Sequence, residues 1–562
     1  MRSTLLLLAL SLAACTPPKV DDTGALVDTA PPPTGGIIAA TSGTAAIDAG
    51  LAVLDEGGTA MDAAMTVAMS QIVLTVGSWN SFAGIMGAVV YDAESGELSS
   101  LHGNYGTFVG ETDPMTIPTD EPSGRTALVP GFMAAAEAAH AQHGALPWSR
   151  IFEPAIGLAE DGFEVDVYLE YYIQSKQEVL SRRDETWAVF TDSDGEPWEQ
   201  GDIITQPALA ETLRAVADHG AAYMYTGAWA DHFVANVTED GGMVSADDLA
   251  GYTADWMQPL ETQYAGHTLV TMGDRELGSV QIIEAVNMAE AVGLAEMGPW
   301  WESGEALFWL VRITQVNALL TWVQDYYPEY HSYVTDALPG VLLEDSARVD
   351  PDQAALLVSY VQDGTWNDLM DLFGYSRGRS AHSDAIAVMD ARGNVVALTH
   401  SINTTMWGST GIFVDGVSIP DSASFQQQLL AQITPGDFLP TPLNPSIALR
   451  DGTPVLAGST VGNVHYAQVQ RLAAVLGLGL TPAEAVDTPM LSGWGFEELV
   501  ATGAFPAEVV DEANALGASI TVSSDPSQPA WVGVALAEDG SLSGGVEPWL
   551  APVGAAVEST GL

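Results

Sequence analysis

Apolar residues recur at helical spacing through the first two thirds of the chain. Ile47, Leu51 and Leu54 would share one face of a helix whose predicted N-cap is Thr44. A second helix is predicted to follow, with Thr59 as its N-cap. The same spacing predicts further helices over residues 132–143, 151–160, 207–217, 279–290 and 305–325. The middle of the chain is therefore predicted to be mostly helical.

The pattern changes near residue 384, where short apolar runs between turn residues replace the helical spacing. These runs predict strands over residues 385–389, 395–401, 445–449, 455–457, 519–522 and 531–537, with one helix over residues 464–476. An earlier strand is predicted at residues 88–91. Helices and strands that must share one core indicate an α+β layered sandwich.

The turn residues DARGN, at 390–394, join two of these strands into a predicted hairpin. If Asp390 pairs with Val395, every pair of facing residues in the hairpin has numbers that add up to about 785. In that register Ser383 lies beside residues 401–403. The hairpin thus ends in a cluster of polar residues.

Thr399, Ser401 and Asn403 share one face of the second strand, because side chains alternate along a strand. Two hydroxyls and an amide would therefore meet near Ser383. A register shift of one residue would exchange the faces. The pattern alone fits a polar strand edge as well as it fits a functional site.

The composition restricts the classes of partner. The chain has 562 residues and 47% hydrophobic content, enough for two lobes or one large layered domain. Its 73 acidic and 16 basic residues give a net charge of -57. This charge excludes binding to nucleic acid or anionic lipid through a basic patch. The acidic residues are instead expected to form a solvated surface.

The N-terminus has the features of an export signal. Arg2 precedes an apolar run at residues 5–12, and the small residues Leu-Ala-Ala precede Cys15. This ending resembles the bacterial lipobox, in which the cysteine is lipidated. Cys15 is the only cysteine of the chain, so no intrachain disulfide can form. Residues 1–14 are predicted to be a lipoprotein signal peptide.

The next segment, residues 15–36, is predicted to be the lipidated cysteine and a flexible tether, because it is rich in Pro, Gly and Asp. The protein is thus expected to be an exported lipoprotein of the bacterial cell envelope, in contact with the membrane only through its lipid. Thr16 stands where an aspartate often directs such proteins to the inner membrane. The outer membrane is therefore favoured.

Other catalytic motifs are weak. The histidines show no metal-site spacing, and no glycine-rich loop follows a strand, so no metal and no cofactor is expected. Residues 374–378 match G-x-S-x-G, but that nucleophile elbow requires a preceding buried strand, and the pattern before it is helical. A conventional serine hydrolase acting through Ser376 is the least supported alternative.

Several segments together resemble the gamma-glutamyltranspeptidase family of N-terminal-nucleophile hydrolases. They include AGLAVLDEGGTAMDAAMTVA and VMDARGNVVALTHSINT, and they lie at residues 49–68, 129–163, 201–213, 225–227, 241–252 and 388–404. The resemblance implies a four-layer αββα sandwich and a proenzyme that cleaves itself. Residues 37–382 would form the large chain and residues 383–562 the small chain, which stay associated in one shared fold.

The family's nucleophilic threonine falls on Ser383, so the resemblance implies cleavage between His382 and Ser383. The new α-amine, with a pKa of about 7.7–8.0, could then act as the base. Ser401 matches the family's second hydroxyl, and Asn403 matches an amide that contacts the substrate.

The GSTVG segment, at residues 458–462, resembles the family's oxyanion loop, whose backbone N–H groups bind the oxyanion. Val461 stands in place of a glycine of that loop, and Gly462 is the candidate donor.

The departures from the family pattern fall on substrate recognition. The segment LHGNYGT, at residues 101–107, lacks the family's arginine for the substrate α-carboxylate. Asp421 is the nearest remaining carboxylate for the α-amine, and Thr441 replaces one of two paired serines. The resemblance implies an amidohydrolase or acyltransferase on γ-glutamyl amides such as glutathione, or on related amides. The alternative is an uncleaved, non-catalytic lipoprotein that binds a ligand in the same fold.

Overall fold

Two β-sheets lie face to face at the centre of the molecule. The structure is a computed structural model that describes residues 33–273, 276–367, 369, 383–461, 464–492, 499–502, 504–523, 530–547 and 556–560. From Thr34 onward the chain forms one compact unit.

The strands are, in chain order, β1 (Gly36–Ala40), β2 (Ile85–Tyr91), β3 (Leu98–Gly103), β4 (Phe163–Glu164), β5 (Ile203–Ile204), β6 (Asp255–Met257), β7 (Leu260–Tyr264), β8 (His267–Thr271), β9 (Ser383–Asp390), β10 (Val395–Ser401), β11 (Ile412–Val414), β12 (Val417–Ile419), β13 (Ser446–Arg450), β14 (Thr453–Val461), β15 (Leu491–Ser492), β16 (Leu499–Thr502), β17 (Ile520–Ser523), β18 (Ala530–Leu536), β19 (Leu542–Val546) and β20 (Ala556–Thr560).

The α-helices are α1 (Thr44–Asp55), α2 (Ala60–Leu74), α3 (Phe132–His143), α4 (Glu153–Asp161), α5 (Val167–Ser175), α6 (Gln177–Leu180), α7 (Asp184–Trp187), α8 (Pro207–His219), α9 (Ala222–Tyr225), α10 (Ala228–Glu239), α11 (Ala246–Ala250), α12 (Leu277–Val292), α13 (Gly304–Thr321), α14 (His331–Ala337), α15 (Asp345–Arg348), α16 (Pro351–Gln362), α17 (Ser422–Phe425), α18 (Gln427–Leu430), α19 (Val464–Leu472), α20 (Pro482–Val486) and α21 (Ala507–Ala515).

The first sheet has the strand order β20-β1-β9-β10-β2-β3-β6, and the second has the order β19-β18-β14-β13-β8-β7. Their inner faces share one apolar layer, in which Ala387 and Ala397 of the first sheet meet Ile447 and Val532 of the second. The side chains of these four residues are buried.

Helices cover both outer faces. On the first sheet, Ile386 and Leu398 pack in a cluster with α1 and α2. On the second, Leu269 and Leu456 pack with α12, α13 and α16. The order helix, sheet, sheet, helix confirms the four-layer αββα sandwich.

Helix α2 illustrates how the sequence builds these layers. Thr59 caps it through a capping box with Asp62, as its position predicts, and all fifteen helical residues are buried. The neighbouring helix α1 differs from expectation, because its N-cap is Gly43 rather than Thr44. Helix α13 and the π-turn after it, residues 304–326, are long and apolar enough to cross a membrane. However, 89% of the most apolar 18-residue stretch of this segment is buried inside the protein, as in a core helix.

The hairpin of β9 and β10 forms as predicted, with its register shifted by one residue. Met389, not Asp390, pairs with Val395, so Ser383 pairs directly with Ser401. The turn holds Gly393 at φ 91°, the left-handed conformation typical of a three-residue hairpin loop. Directly paired residues point to the same side of a sheet, so this register places both serines on the inner face.

The middle region is mostly helical, as predicted, but it also contains strands β6, β7 and β8, which the pattern did not predict. Strand β8 is an interior strand of the second sheet. The predicted loop from Gly458 onward is instead the last part of β14, which continues to Val461.

Candidate active site

Ser383 and Ser401 meet at the open end of the hairpin. Ser383 is the first residue of β9 and Ser401 the last of β10, and the hydroxyl of Ser383 donates to Ser401 Oγ over 3.0 Å. Their exposed fractions are only 7% and 2%. Both hydroxyls are thus shielded from water. In such a pair, a hydrogen bond from one hydroxyl can stabilise the other oxygen when it loses its proton.

The chain immediately after β10 holds Ser401 in place. The backbone N–H of Asn403 donates to Ser401 Oγ over 2.8 Å. This turn needs Asn403 at φ 51°, a left-handed conformation that asparagine tolerates better than most residues. The side-chain Nδ2 of Asn403 is buried and has no partner within the described parts of the chain. A buried donor of this kind favours an acceptor from a ligand.

Ile402, between these two residues, is fixed on both sides. Its N–H donates to the carbonyl of Trp79 over 3.0 Å. Its own carbonyl accepts from the Tyr105 hydroxyl over 3.1 Å and from Ser422 Oγ over 2.6 Å. Burial raises the pKa of Tyr105, so the tyrosine remains a donor. The site is therefore built on a rigid segment.

Asp421 lies beside the same segment. Its two oxygens accept from Thr404 Oγ1 and Ser409 Oγ, both over 2.6 Å. Burial lowers the pKa of Lys176, while the charge of nearby Asp421 acts to raise it. Lys176, which is half-buried, thus interacts electrostatically with Asp421.

The candidate oxyanion segment belongs to β14. Ser459 and Thr399 share a hydrogen bond that joins the two sheets. The N–H of Thr460 is already bound to Asn444 Oδ1 over 3.0 Å, so it cannot serve an oxyanion in this arrangement. Val461 is buried against the apolar layer between the sheets, and Gly462 lies outside the described residues.

Thr441 binds a buried carboxylate that the sequence did not single out. Its N–H and its hydroxyl both donate to Glu276 Oε2, over 2.8 and 2.7 Å. The other oxygen of Glu276 is bound by His102 Nδ1 at 2.7 Å and Asn104 Nδ2 at 2.5 Å. Burial raises the pKa of Glu276, but the hydrogen bonds, with that of His102 the strongest, outweigh it and hold the pKa below its usual value.

Asp384 follows the candidate nucleophile and points to the opposite face of the sheet. Its Oδ1 accepts from Thr41 Oγ1 over 2.7 Å and Ser42 Oγ over 2.5 Å. Its Oδ2 accepts from Trp79 Nε1 over 3.2 Å and from Asn80 Nδ2. Burial raises the pKa of Asp384 to about 6, although the hydrogen bonds act to lower it.

His400 is the strand partner of Asp384. Its Nε2 lies 2.8 Å from Gln71 Oε1, and burial lowers its pKa to about 3. The imidazole therefore stays neutral near pH 7 and adds no positive charge beside Asp384.

Several predicted positions fall outside the described residues, namely Cys15, Ser376, His382 and Gly462. The structure brings Ser383, Ser401 and Asn403 together, with Asp421 close to the loop of Asn403. Within the described ranges, no group of His, Cys, Asp and Glu is arranged to hold a metal ion.

Sequence reasoning missed the residues that support the site from elsewhere. Trp79, Asn80, Tyr105 and Lys176 reach it from the large-chain part, and no local pattern marks them. Asp384 was missed as well, although a charged residue at the start of an apolar strand run is a signal that could have marked it.

Comparison with known proteins identifies the family of this chain. The model of the gamma-glutamyltranspeptidase family matches residues 46–557. The glutathione hydrolase proenzyme of Escherichia coli (strain K12) is 24% identical over 76% of this chain and 73% of its own length. The acylase ACY 1 proenzyme of Pseudomonas sp. (strain SE83) is 27% identical over 65% of this chain and 64% of its own length.

Solved structures show the same fold. Cephalosporin acylase from Bacillus halodurans superimposes with a TM-score of 0.74 at 20% identity, covering 94% of this chain and 96% of that one. The gamma-glutamyltranspeptidase of Helicobacter pylori gives a TM-score of 0.50 at 23% identity, over 57% of this chain and 90% of that one. The family match spans most of the sequence and includes Ser383, Ser401 and Asn403. The chain belongs to the gamma-glutamyltranspeptidase family.

Proposed function

We propose that the protein is a self-cleaving amide hydrolase or acyltransferase in which Ser383 is the nucleophile. The observation that carries this proposal is the 3.0 Å contact between the Ser383 and Ser401 hydroxyls at the first residue of β9. A nucleophile at that position becomes the N-terminus of a new chain once the preceding peptide bond is cut. It then has a hydroxyl and an amine on one residue, which is what this class of reaction requires.

The cleavage is an internal acyl transfer. Ser383 Oγ attacks the carbonyl carbon of His382, its proton passes to the amide nitrogen of Ser383, and the C–N bond breaks. This leaves an ester between His382 and Ser383 Oγ. Water then attacks the ester carbon and the C–O bond breaks. The products are a carboxylate on His382 and a free hydroxyl and amine on Ser383.

Turnover repeats this chemistry on an external amide. The α-amine of Ser383 takes the hydroxyl proton while Oγ attacks the substrate carbonyl, and the proton is then passed to the leaving amine. The acyl group stays on Ser383 Oγ until water or a second amine removes it. Ser401 holds the attacking oxygen in place throughout, and the N–H of Gly462 is proposed to bind the oxyanion.

The substrate is proposed to be a γ-glutamyl amide or a related acyl amide with a polar acyl chain. The buried Nδ2 of Asn403 offers a donor, and Asp421 and Lys176 offer one charge of each sign. Relatives named as glutathione hydrolases and as acylases both occur at about one quarter identity, so both substrate classes are tested. Thr441 is a weaker contact, because Glu276 already occupies its hydroxyl.

The first experiment is a denaturing gel of the purified full chain. Two bands are expected for the wild type, and one band for Ser383→Ala, because the variant lacks the attacking oxygen. Ser376→Ala is the matched control and should cleave normally. A wild-type chain that stays uncut would refute self-cleavage and favour the non-catalytic alternative.

The second experiment measures the release of amine from glutathione and from amides with other acyl groups. Lys176→Met and Asp421→Asn should change the relative rates of amine release from substrates with charged acyl chains. The rates for substrates with uncharged acyl chains should stay the same. An unchanged ranking would exclude both residues from substrate recognition.

We also propose that Cys15 is lipidated and anchors the protein to the cell envelope, on the sequence features alone. Replacement of Cys15 by serine should move the protein from the membrane fraction to the soluble fraction. A membrane fraction that keeps the variant would refute the anchor.

A further inference from the structure

The buried carboxylate of Asp384 is bound only by groups that precede the predicted cut. Its described partners are Thr41, Ser42, Trp79 and Asn80, which all belong to the large-chain part. Asp384 itself belongs to the small-chain part and has no exposed surface. The hydrogen bonds of this one side chain therefore join the two parts.

The start of β9 lacks a strand on one side. The pairing with β1 ends at Ile386, opposite Ala40. Beyond this point the large-chain part turns away from β9. One more backbone hydrogen bond connects the two segments, from the N–H of Thr41 to the carbonyl of Ala385 over 3.2 Å. Asp384 takes the place of the missing strand contacts, because Thr41 Oγ1 both donates to its carboxylate and accepts from the N–H of Ala385 over 3.0 Å.

Cleavage would leave this short segment as a chain end. A chain end frays unless its first residues are tied down. Ser383 would then be held on one side only, by its pairing with Ser401. A loss of about 1 Å in the placement of a reacting group can cost about 100-fold in rate. The first residue able to hold the new end is Asp384.

The cost of the arrangement supports a functional role. Burial raises the pKa of Asp384 to about 6, so keeping it ionised at neutral pH costs stability. The only titratable group that faces it from the described strands is His400, which burial keeps neutral. Costly buried charges of this kind concentrate at functional sites.

We propose that Asp384 is a positioning residue, a clamp that holds the new N-terminus of Ser383 against the large chain after self-cleavage. The proposal depends on the proposed cleavage before Ser383. Before the cut, the continuous chain holds Ser383 from both sides. The clamp is therefore needed for turnover and much less for cleavage. A residue that only stabilises the fold would affect both steps together.

The test separates these two steps in Asp384→Ala. Self-cleavage is followed on a denaturing gel, turnover on the best amide of the substrate panel, and hydrogen exchange of the β9 amides by mass spectrometry. Cleavage should stay within about threefold of wild type, while kcat falls about 100-fold and exchange at residues 384–387 becomes at least about tenfold faster.

Asp390→Ala is the matched control at the other end of β9. Asp390 is also buried and also binds the large-chain part, through the N–H of Ala60 over 2.9 Å. Its loss should lower cleavage and turnover in proportion to the folded fraction. Ser42→Ala removes a single donor to Asp384 and provides the same test if Asp384→Ala does not accumulate as folded protein.

The outcomes distinguish the two proposals. A wild-type chain that never cleaves refutes the proposed function. If the wild type cleaves, the Asp384→Ala variant tests the clamp alone. The clamp is refuted if cleavage and turnover of this variant fall together, or if neither falls. Unchanged hydrogen exchange at the start of β9 would refute it as well.

Discussion

At the scale of single residues, the proposed reaction depends on how the hydroxyl of Ser383 is held. The hydroxyl of Ser383 points at Ser401 Oγ, and that oxygen is itself fixed by the N–H of Asn403. A neutral hydrogen bond contributes about 0.5–1.5 kcal/mol, and more when one partner gains charge. In the proposed mechanism, Ser401 therefore positions the Ser383 hydroxyl for attack.

We expect Ser401→Ala to lower kcat by about tenfold to 100-fold, since the loss of one hydrogen bond to a developing charge costs about 1.5–3 kcal/mol. Initial rates on the best amide substrate measure this effect. Ser401→Thr keeps the oxygen and should retain most of the activity. Equal losses in the two variants would mean that packing, rather than the hydroxyl, matters at this position.

At the scale of elements, the site depends on how closely the segment before β2 approaches the end of β10. A Cβ atom at Gly84 would lie 2.5 Å from the carbonyl oxygen of Ser401. Contacts that short do not occur, so the backbone at Ser401 would have to move. Only glycine allows this approach.

Gly84→Ala should therefore impair self-cleavage and lower turnover by at least about tenfold, because it displaces Ser401. Gly157→Ala is a suitable control, since its Cβ would meet nothing within 4 Å and it lies within helix α4. The control should cleave normally and be slightly more stable. Normal activity in Gly84→Ala would contradict the stated role of the close approach.

Sequence patterns predicted the elements around the site better than their exact pairing. Helix α3 and strand β10 have the predicted bounds, because capping glycines and turn residues mark their ends. The register was wrong by one residue, since Gly393 closes a shorter loop than assumed. This error mattered, because the true register pairs Ser383 with Ser401 directly.

The end of β14 was not predictable from local pattern. Ser459 and Thr460 are polar, yet they lie in a buried strand because Thr399 and Asn444 satisfy their hydrogen bonds from distant parts of the chain. Strand β8 has only two apolar residues, Leu269 and Val270, so periodicity alone cannot assign it. In each case the deciding partner is remote in sequence.

At the scale of the whole molecule, Asp384 links the site to stability. Its pKa is raised to about 6 in the folded protein, so its contribution is fully present below its usual pKa and is lost as pH rises through 6. The shift corresponds to a loss of roughly 3 kcal/mol in the free energy of unfolding by neutral pH. A wild-type protein should thus gain stability from this group on mild acidification.

Asp384→Asn should remove this pH dependence. Its amide can be bound without strain, because the hydroxyls of Thr41 and Ser42 can rotate and accept from it. Between pH 7.5 and pH 5, we expect the wild type to gain stability relative to the variant by about 1.4 kcal/mol, as measured by urea unfolding. A constant difference across this range would show that Asp384 does not titrate there.

The two-chain state of the mature protein is the central claim at this scale. Intact mass and N-terminal sequencing of the purified protein test it most directly. We predict two fragments that stay associated under native conditions, the smaller of which begins at Ser383. A single uncut chain, or a small fragment that begins at any other residue, would contradict the account.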